Sequence, residues 1–511
     1  MFLLTNIKSR LIYTVIPAVM ALVPLFSSAQ EITPGSAASK LWPVGVEKPI
    51  PARAGSKLFY DHPATIRELP PILQNLEFIC GSKDKGLSVR PVTPGHVYIV
   101  TPVEGEPHSQ EQALLGMGFV KLANSHFNLY EGQQEQIAVF HKINDRKFER
   151  ITLSGWSVPF SSAEALPSFT EAARVITNPG GEYGLETRKW QGCPTIEQTG
   201  KRLWTGWFSG GNKEPDRGNY GIVSYSDDNG KTWKDPAIII AHPDSNVRVM
   251  DMQIWKAPDG ALWLLWVQNT GPRWFDGIWG TWGIRSENPD ALTPTWSSPQ
   301  RLADGLTRNK ITVLSTGEWL LPSYNWVNNQ SAIYVSRDAG KSWSLQGGPF
   351  NQSSYFFEHM TTELKNGRLW MLQRRMKESF SDDKGKTWTE LKDVSQFTAP
   401  DSRLYLGRLR SGNLLLIYND DPERKIRRNI VARLSEDDGK TWPHQLVLDE
   451  RSLISYPDVV QNRKGIIYVV YDRSRTGEKE ILLTTFTERD IKAGKYISKA
   501  AAQKRVISKA P

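Results

Sequence analysis

Ser226-Asp227-Asp228-Asn229-Gly230-Lys231-Thr232-Trp233 decides the fold, because the chain repeats its pattern three more times. The other copies are Ser336-Arg337-Asp338-Ala339-Gly340-Lys341-Ser342-Trp343, Ser381-Asp382-Asp383-Lys384-Gly385-Lys386-Thr387-Trp388 and Ser435-Glu436-Asp437-Asp438-Gly439-Lys440-Thr441-Trp442. Their starts are 110, 45 and 54 residues apart, and the first gap holds a decayed copy at Ser286-Glu287-Asn288-Pro289 with Trp296 downstream. The period is thus roughly 50 residues, which belongs to four-stranded propeller blades. Each copy reads as a hairpin turn. The aspartates Asp228, Asp338, Asp383 and Asp437 can accept hydrogen bonds from turn N–H groups. The glycine allows positive φ, and the tryptophan can pack between sheets. These four aspartates are expected to be structural.

A second phrase, a turn glycine followed by apolar residues, precedes each copy. It runs through Gly200, Gly260, Gly317, Gly367, Gly412 and Gly465. Six phrases predict an all-β fold with a six-bladed β-propeller over residues 165–490. The last blade lacks the repeated turn, and a strand from the start of the domain is expected to complete it, which would leave no free edge. Before the propeller, short β-like runs such as His96-Val97-Tyr98-Ile99-Val100 predict a small β-sandwich-like domain over residues 70–160. Residues 30–69 read as an extended lead-in, and residues 491–511 as a basic tail. Residues 1–29 read as a cleaved signal peptide: Lys8 and Arg10, an apolar run from Leu11 to Phe26, then Ser27-Ser28-Ala29. This predicts a secreted or periplasmic protein with no membrane attachment after cleavage.

The 511 residues include 19 Trp, 16 Tyr and 18 Phe, a bias that suits all-β packing and sugar-binding clefts. A net charge of +9 favours anionic partners, but the basic residues are scattered and no nucleic-acid motif is present. The two cysteines, Cys80 and Cys193, fall in different expected domains, and pairing and separate thiols both remain open. Neither lies in a metal-ligand pattern, and no metal or cofactor is expected.

From about residue 165 to 490 the chain resembles the sialidase (neuraminidase) superfamily, in which the repeated turn is known as an Asp box. It is most similar to secreted bacterial sialidase-like proteins. The resemblance implies an exoglycosidase acting on a terminal, anionic sugar of a glycan. It implies a tyrosine nucleophile shortly after the last box, matched by Tyr456 in Ser455-Tyr456-Pro457-Asp458-Val459. A neutral phenol suits an anomeric carbon that bears a carboxylate, and it needs a base, matched by Glu358 ahead of Gly367-Arg368-Leu369. Arginines that clamp the sugar carboxylate are matched by Arg374 and by either Arg427 or Arg428. The family's first arginine, in Phe/Tyr-Arg-Ile-Pro, is replaced by Gly192 of Gln191-Gly192-Cys193-Pro194, with Arg188 four residues earlier as a substitute. The acid/base carboxylate is expected in the loop before the first box, where Glu214 and Asp216 are both candidates. Asp251 and His359 are candidate substrate contacts. Two other readings stay open: a hydrolase or lyase for a uronic or deoxy sugar, and a non-catalytic glycan-binding propeller.

Overall fold

The computed structural model describes residues 38–511 apart from 44–48, 94, 123–126, 145–148, 164–167, 169–170, 271–279, 326–328 and 353–356. The expected leader, residues 1–29, lies outside the described residues. Among those described, no helix is long and apolar enough to cross a membrane.

After residue 170 the described strands form six antiparallel sheets, one of five strands and five of four. Each sheet is a blade, and in the five four-stranded ones successive strands in the chain are neighbours. The first strands of the blades line the axis: Gln191–Thr199, Val247–Lys256, Thr312–Val313, His359–Glu363, Tyr405–Arg408 and Ile454–Gln461. Apolar side chains of adjacent blades interlock in turn. One cluster joins Ile254 and Leu264 of the second blade to Val223 and Ile240 of the first. Another joins Tyr468 and Val470 of the sixth to Ile196 and Ile222 of the first, which closes the ring.

The repeated turns behave as their chemistry demands. Asp228 accepts hydrogen bonds from Ser226 Oγ (2.7 Å), Thr232 N (2.9 Å) and Thr232 Oγ1 (2.7 Å). Asp338, Asp383 and Asp437 repeat this pattern with their own Ser and Thr or Ser partners. The decayed copy does the same with Asn288, which accepts from Thr295 N at 2.9 Å. Trp233, Trp343, Trp388 and Trp442 each pack into a core shared with the preceding blade.

Three boundaries differ from expectation. The sixth blade is completed by the chain's own end, Ala502–Lys509, paired to Glu480–Phe486, and not by an earlier strand. The stretch read as a basic tail therefore ends a short helix, Glu488–Ala493, and then supplies an edge strand, whose Ala-Gln-Lys-Arg-Val-Ile-Ser-Lys composition hides its few inward apolar positions. Arg174–Ile176 instead adds a fifth, outermost strand to the first blade. The N-terminal domain has two main sheets, one of three strands and one of six, and it begins well before residue 70. Leu41–Pro43 pairs with Leu87–Pro91, and Leu58, Phe59 and Ile66 are core residues with Trp156 and Phe160. These strands are two to four residues long and Pro-rich, so they carry no readable periodicity.

Candidate active site

The inner strands of the first, second and sixth blades share one irregularity. In each, two residues oppose one on the next strand: Cys193-Pro194 opposite Trp207, Asp251-Met252 opposite Trp266, and Tyr456-Pro457 opposite Tyr471. The first residue of each pair has positive φ: 60° at Cys193, 55° at Asp251 and 59° at Tyr456. Such a bulge bends the strand and re-aims one side chain. Here the re-aimed side chains gather at one end of the axis. Asp472 fixes two of the bulges, accepting from Cys193 N (2.7 Å) and Ser455 Oγ (2.6 Å).

Tyr456 donates its phenol hydrogen bond to Glu358 Oε1 at 2.9 Å. Both residues are buried. Burial pushes the Tyr456 phenol up to about 12, with Glu358 acting the same way and Arg374, Arg308 and Arg427 opposing. Three guanidiniums lie over the Tyr456 ring, those of Arg475 (4.4 Å to the centroid), Arg308 (4.9 Å) and Arg427 (5.1 Å). A positive surround of this kind stabilises a phenolate as it forms.

Arg308 is the hub. Its guanidinium lies 2.6 Å from Asp251 Oδ1, 3.2 Å from Glu214 Oε1 and 3.5 Å from Glu358 Oε1. Burial raises the Asp251 carboxyl to about 7, and the nearby charges of Glu214 and Glu358 add to it against Arg308. Burial also acts on Glu214, but Arg475 and Arg308 overcome it and hold that carboxyl at about 2. The two acids of one cluster are thus driven apart. Cys193 Sγ, Glu214 and Asp251 lie within 4.8 Å of one another, close enough to hold a cation. The guanidiniums of Arg308 and Arg475 already supply positive charge there.

Two further arginines share one anchor. Arg374 Nη2 and Arg427 Nε donate to the Asp401 carbonyl at 2.9 and 2.8 Å. Arg374 Nη1 also lies 3.5 Å from Glu358 Oε1. Of the two neighbours that fitted equally well in sequence, Arg427 faces the Tyr456 ring, whereas Arg428 turns to Asp421 at 2.7 Å.

Other expected residues lie elsewhere. Arg188 is buried against Asp235 (2.8 Å) and hydrogen-bonds Ser508, so it serves the closure between the first and last blades. Asp216 accepts from the backbone N–H groups of Asn212 and Arg217 and holds its own loop. His359 is buried with its ring nitrogens 2.9 Å from the Ala332 carbonyl and 3.3 Å from that of Phe357. Burial lowers its pKa to about 4.

The space left by Gly192 is filled from the sixth blade. A Cβ on Gly192 would fall 2.7 Å from Arg475 Cδ and 2.8 Å from its Nε. Arg475 is pinned there by Asp472 (3.0 Å), Ser455 Oγ (3.3 Å) and an ion pair with Glu214. Arg308 is not among the expected site residues, and Arg475 stands out in the sequence only as part of the run Tyr471-Asp472-Arg473-Ser474-Arg475, which reads as a strand end with charges at the mouth. The signal for Arg308 was present: the residue nine places before five of the six turn glycines, Gly200 being the exception. From Gly260, Gly317, Gly367, Gly412 and Gly465 this gives Asp251, Arg308, Glu358, Arg403 and Tyr456. Four of the five are in the cluster. Arg403 lies deeper, paired with Asp458 at 3.1 Å.

A family model described as "BNR repeat-like domain" matches residues 201–469, just over half of the chain. No curated protein matches it. Among solved structures the chain is similar to the Hadza microbial sialidase Hz136, with 16% identity, 78% of this chain and 91% of that one covered, and a TM-score of 0.50. It is also similar to a protein of unknown function from Dyadobacter fermentans (18% identity, 60% and 95% covered, TM-score 0.47). The NanB sialidase of Streptococcus pneumoniae gives 12% identity, 80% and 82% covered, and a TM-score of 0.47. The likeness to Hz136 is one of fold.

Proposed function

The chain belongs to the BNR repeat-like domain family, of sialidase-like propellers, and from that premise we propose that it is a secreted glycoside hydrolase that removes a terminal acidic sugar from a glycan. The observation that carries this reading is the buried Tyr456–Glu358 hydrogen bond, set among four arginines. Arg374 and Arg427 receive the sugar carboxylate. Arg427 spends only its Nε on the protein among the described contacts, which leaves its two Nη groups for an anion.

The Tyr456 oxygen attacks the anomeric carbon while its proton passes to Glu358 Oε1. The bond to the leaving oxygen breaks, and that oxygen takes a proton from Asp251. The acid is assigned to Asp251, which lies across Arg308 from Glu358 and whose carboxyl burial raises, while Arg475 and Arg308 keep Glu214 ionised. Water then attacks the same carbon, losing a proton to Asp251. The tyrosine leaves and recovers its proton from Glu358. Two displacements give retention. The terminal-sugar reading is supported by the position of the Tyr456 cluster at one end of an axis that is filled further along. Lys310 fills that axis, donating to the carbonyls of Ile196 and Val459. The apolar leader in the sequence supports export.

The test is a panel of chromogenic glycosides, sialosides and uronosides first. Release of the chromophore from an acidic glycoside, with retained stereochemistry, is expected. Tight binding of acidic sugars without turnover of any panel member would favour a non-catalytic glycan receptor.

A further inference from the structure

A second charged region lies at the opposite end of the inner strands. The sixth inner strand carries Tyr456 near its start and ends at Gln461, about 16 Å further along at ~3.3 Å per residue. Gln461 lines a cavity of about 1060 Å³ between the sixth and first blades, on the face of the box turns. Lys201, Lys256, Arg410, Arg463, Lys464 and Lys499 line it, together with Lys231 of the first box and Arg505 of the final strand.

None of these eight cations forms an ion pair with a carboxylate among the described residues; Arg505 feels the charge of Asp228 in the first box without pairing to it. The two acids in the wall are already committed, Glu197 to Lys310 (3.2 Å) and Asp227 to Arg202 (2.7 Å). Arg505 donates one Nη to the Asn229 carbonyl at 3.3 Å, while its Nε is buried with no hydrogen-bond partner. Elsewhere on this protein lysines and arginines are widely paired, as at Lys384–Glu318, Arg408–Asp438 and Lys504–Glu450. Uncompensated like charges facing one concavity repel one another, and this costs stability unless an anion enters. The net charge of +9 is therefore not spread evenly: a large part of the excess faces this one space.

We propose that this cavity binds a segment of an anionic polysaccharide, sulfated or carboxylated, independently of the Tyr456 cleft. Eight cations outnumber what one phosphate or sulfate can neutralise, so the ligand is a polymer of charges. The only aromatic residue in the wall, Tyr468, is buried, so no ring is offered for stacking nucleic-acid bases. The surface is concave and lacks an exposed apolar wedge, which disfavours a bilayer. A glycan chain with regularly spaced charges can meet cations spread along the wall of such a cavity. The Lys310, Arg403 and Asp458 cluster closes the axis between groove and cleft, so both can be filled at once.

The test uses the full mature chain and three fluorescent probes: a heparin oligosaccharide, an oligogalacturonate and duplex DNA of equal charge. Saturable binding to at least one glycan is expected, weakening steeply as NaCl rises. The triple variant Arg463→Glu/Lys464→Glu/Lys499→Glu changes exposed positions. It should bind at least tenfold more weakly with an unchanged melting temperature. The control Lys341→Glu/Lys386→Glu, in boxes of the third and fourth blades, should bind like the parent. Absence of saturable glycan binding, equal loss in the control, or DNA binding as tight as glycan binding would each overturn the proposal. Turnover at the Tyr456 cleft, whatever its value, does not enter this readout.

Discussion

The turns on one face of the propeller repeat their side chains, whereas the bulges at the other end of the inner strands repeat only their backbone. Asp228, Asp338, Asp383 and Asp437 hold nearly the same hydrogen bonds, each within its own turn. The bulges place Cys193, Asp251 and Tyr456 at equivalent positions with equivalent φ, yet the three residues have nothing in common chemically. Repetition of a side chain marks a part that each blade needs for itself. Repetition of a backbone with unlike side chains marks a place where blades contribute different groups to one shared site.

The comparison predicts a sharp division of effects. Glu358→Gln, which keeps the shape of the side chain, should lower turnover by about 10²–10⁴-fold, the scale of a lost acid–base group. Combined with Tyr456→Phe it should lower turnover little further, because the two act as a unit. Full additivity in a kinetic cycle would separate them. Next in size is Gly192→Ala. Its methyl would collide with Arg475, which three partners hold in place, and turnover should drop by roughly tenfold as the guanidinium shifts. In an Arg475→Ala background the same change should be almost silent. An equal loss in both backgrounds would show that the glycine matters for another reason.

A smaller effect concerns pH. With Asp251 held near 7, turnover should fall as pH rises through about 7, and the Asp251→Asn variant should lose that limb. Because the folded value stands above the unfolded one, this group's stabilisation is complete below about 4 and fades between about 4 and 7. A pH–rate profile flat to pH 9 would remove Asp251 from the acid role. The smallest effect is expected at the outer face. Asp228→Ala should cost about 1 kcal/mol of stability through lost turn hydrogen bonds, seen as a lowered melting temperature with unchanged turnover. Lost turnover at unchanged melting would erase the division between the two regions.

The architecture was legible because box and turn glycine recur at blade spacing, and each copy closes its own hydrogen bonds locally. The chain ends were not. Ala502–Lys509 is an edge strand whose partner, Glu480–Phe486, supplies the pattern it lacks, and Leu41–Pro43 is too short to show one. In the cleft, Tyr456 and Glu358 could be named only through the family resemblance, which matches each at its distance from a box or a turn glycine. Arg475 could not be assigned that way. It lies on a connection after the strand Ile467–Arg473, and its place beside Tyr456 depends on an absent side chain at Gly192, nearly three hundred residues away in sequence. Arg188 looked close enough in sequence to serve instead, but Asp235 and Ser508 use it at the blade closure. The sequence offers Glu214 and Asp216 as acids and Asp251 as a substrate contact; what separates these carboxyls is hidden in it, because Arg475 joins Arg308 at Glu214 whereas Asp251 pairs with Arg308 alone among the described residues.

The central claim is that the bulge at Tyr456 carries the chemistry. Tyr456→Phe removes one oxygen from a ring that stays packed among Trp190, Phe208 and Phe357. Turnover of the best acidic glycoside and the melting temperature should be measured side by side on this variant and the parent. The account predicts a loss of about 10²–10⁴-fold in turnover with a melting temperature within a degree or two; near-normal turnover in a folded Tyr456→Phe protein would contradict it.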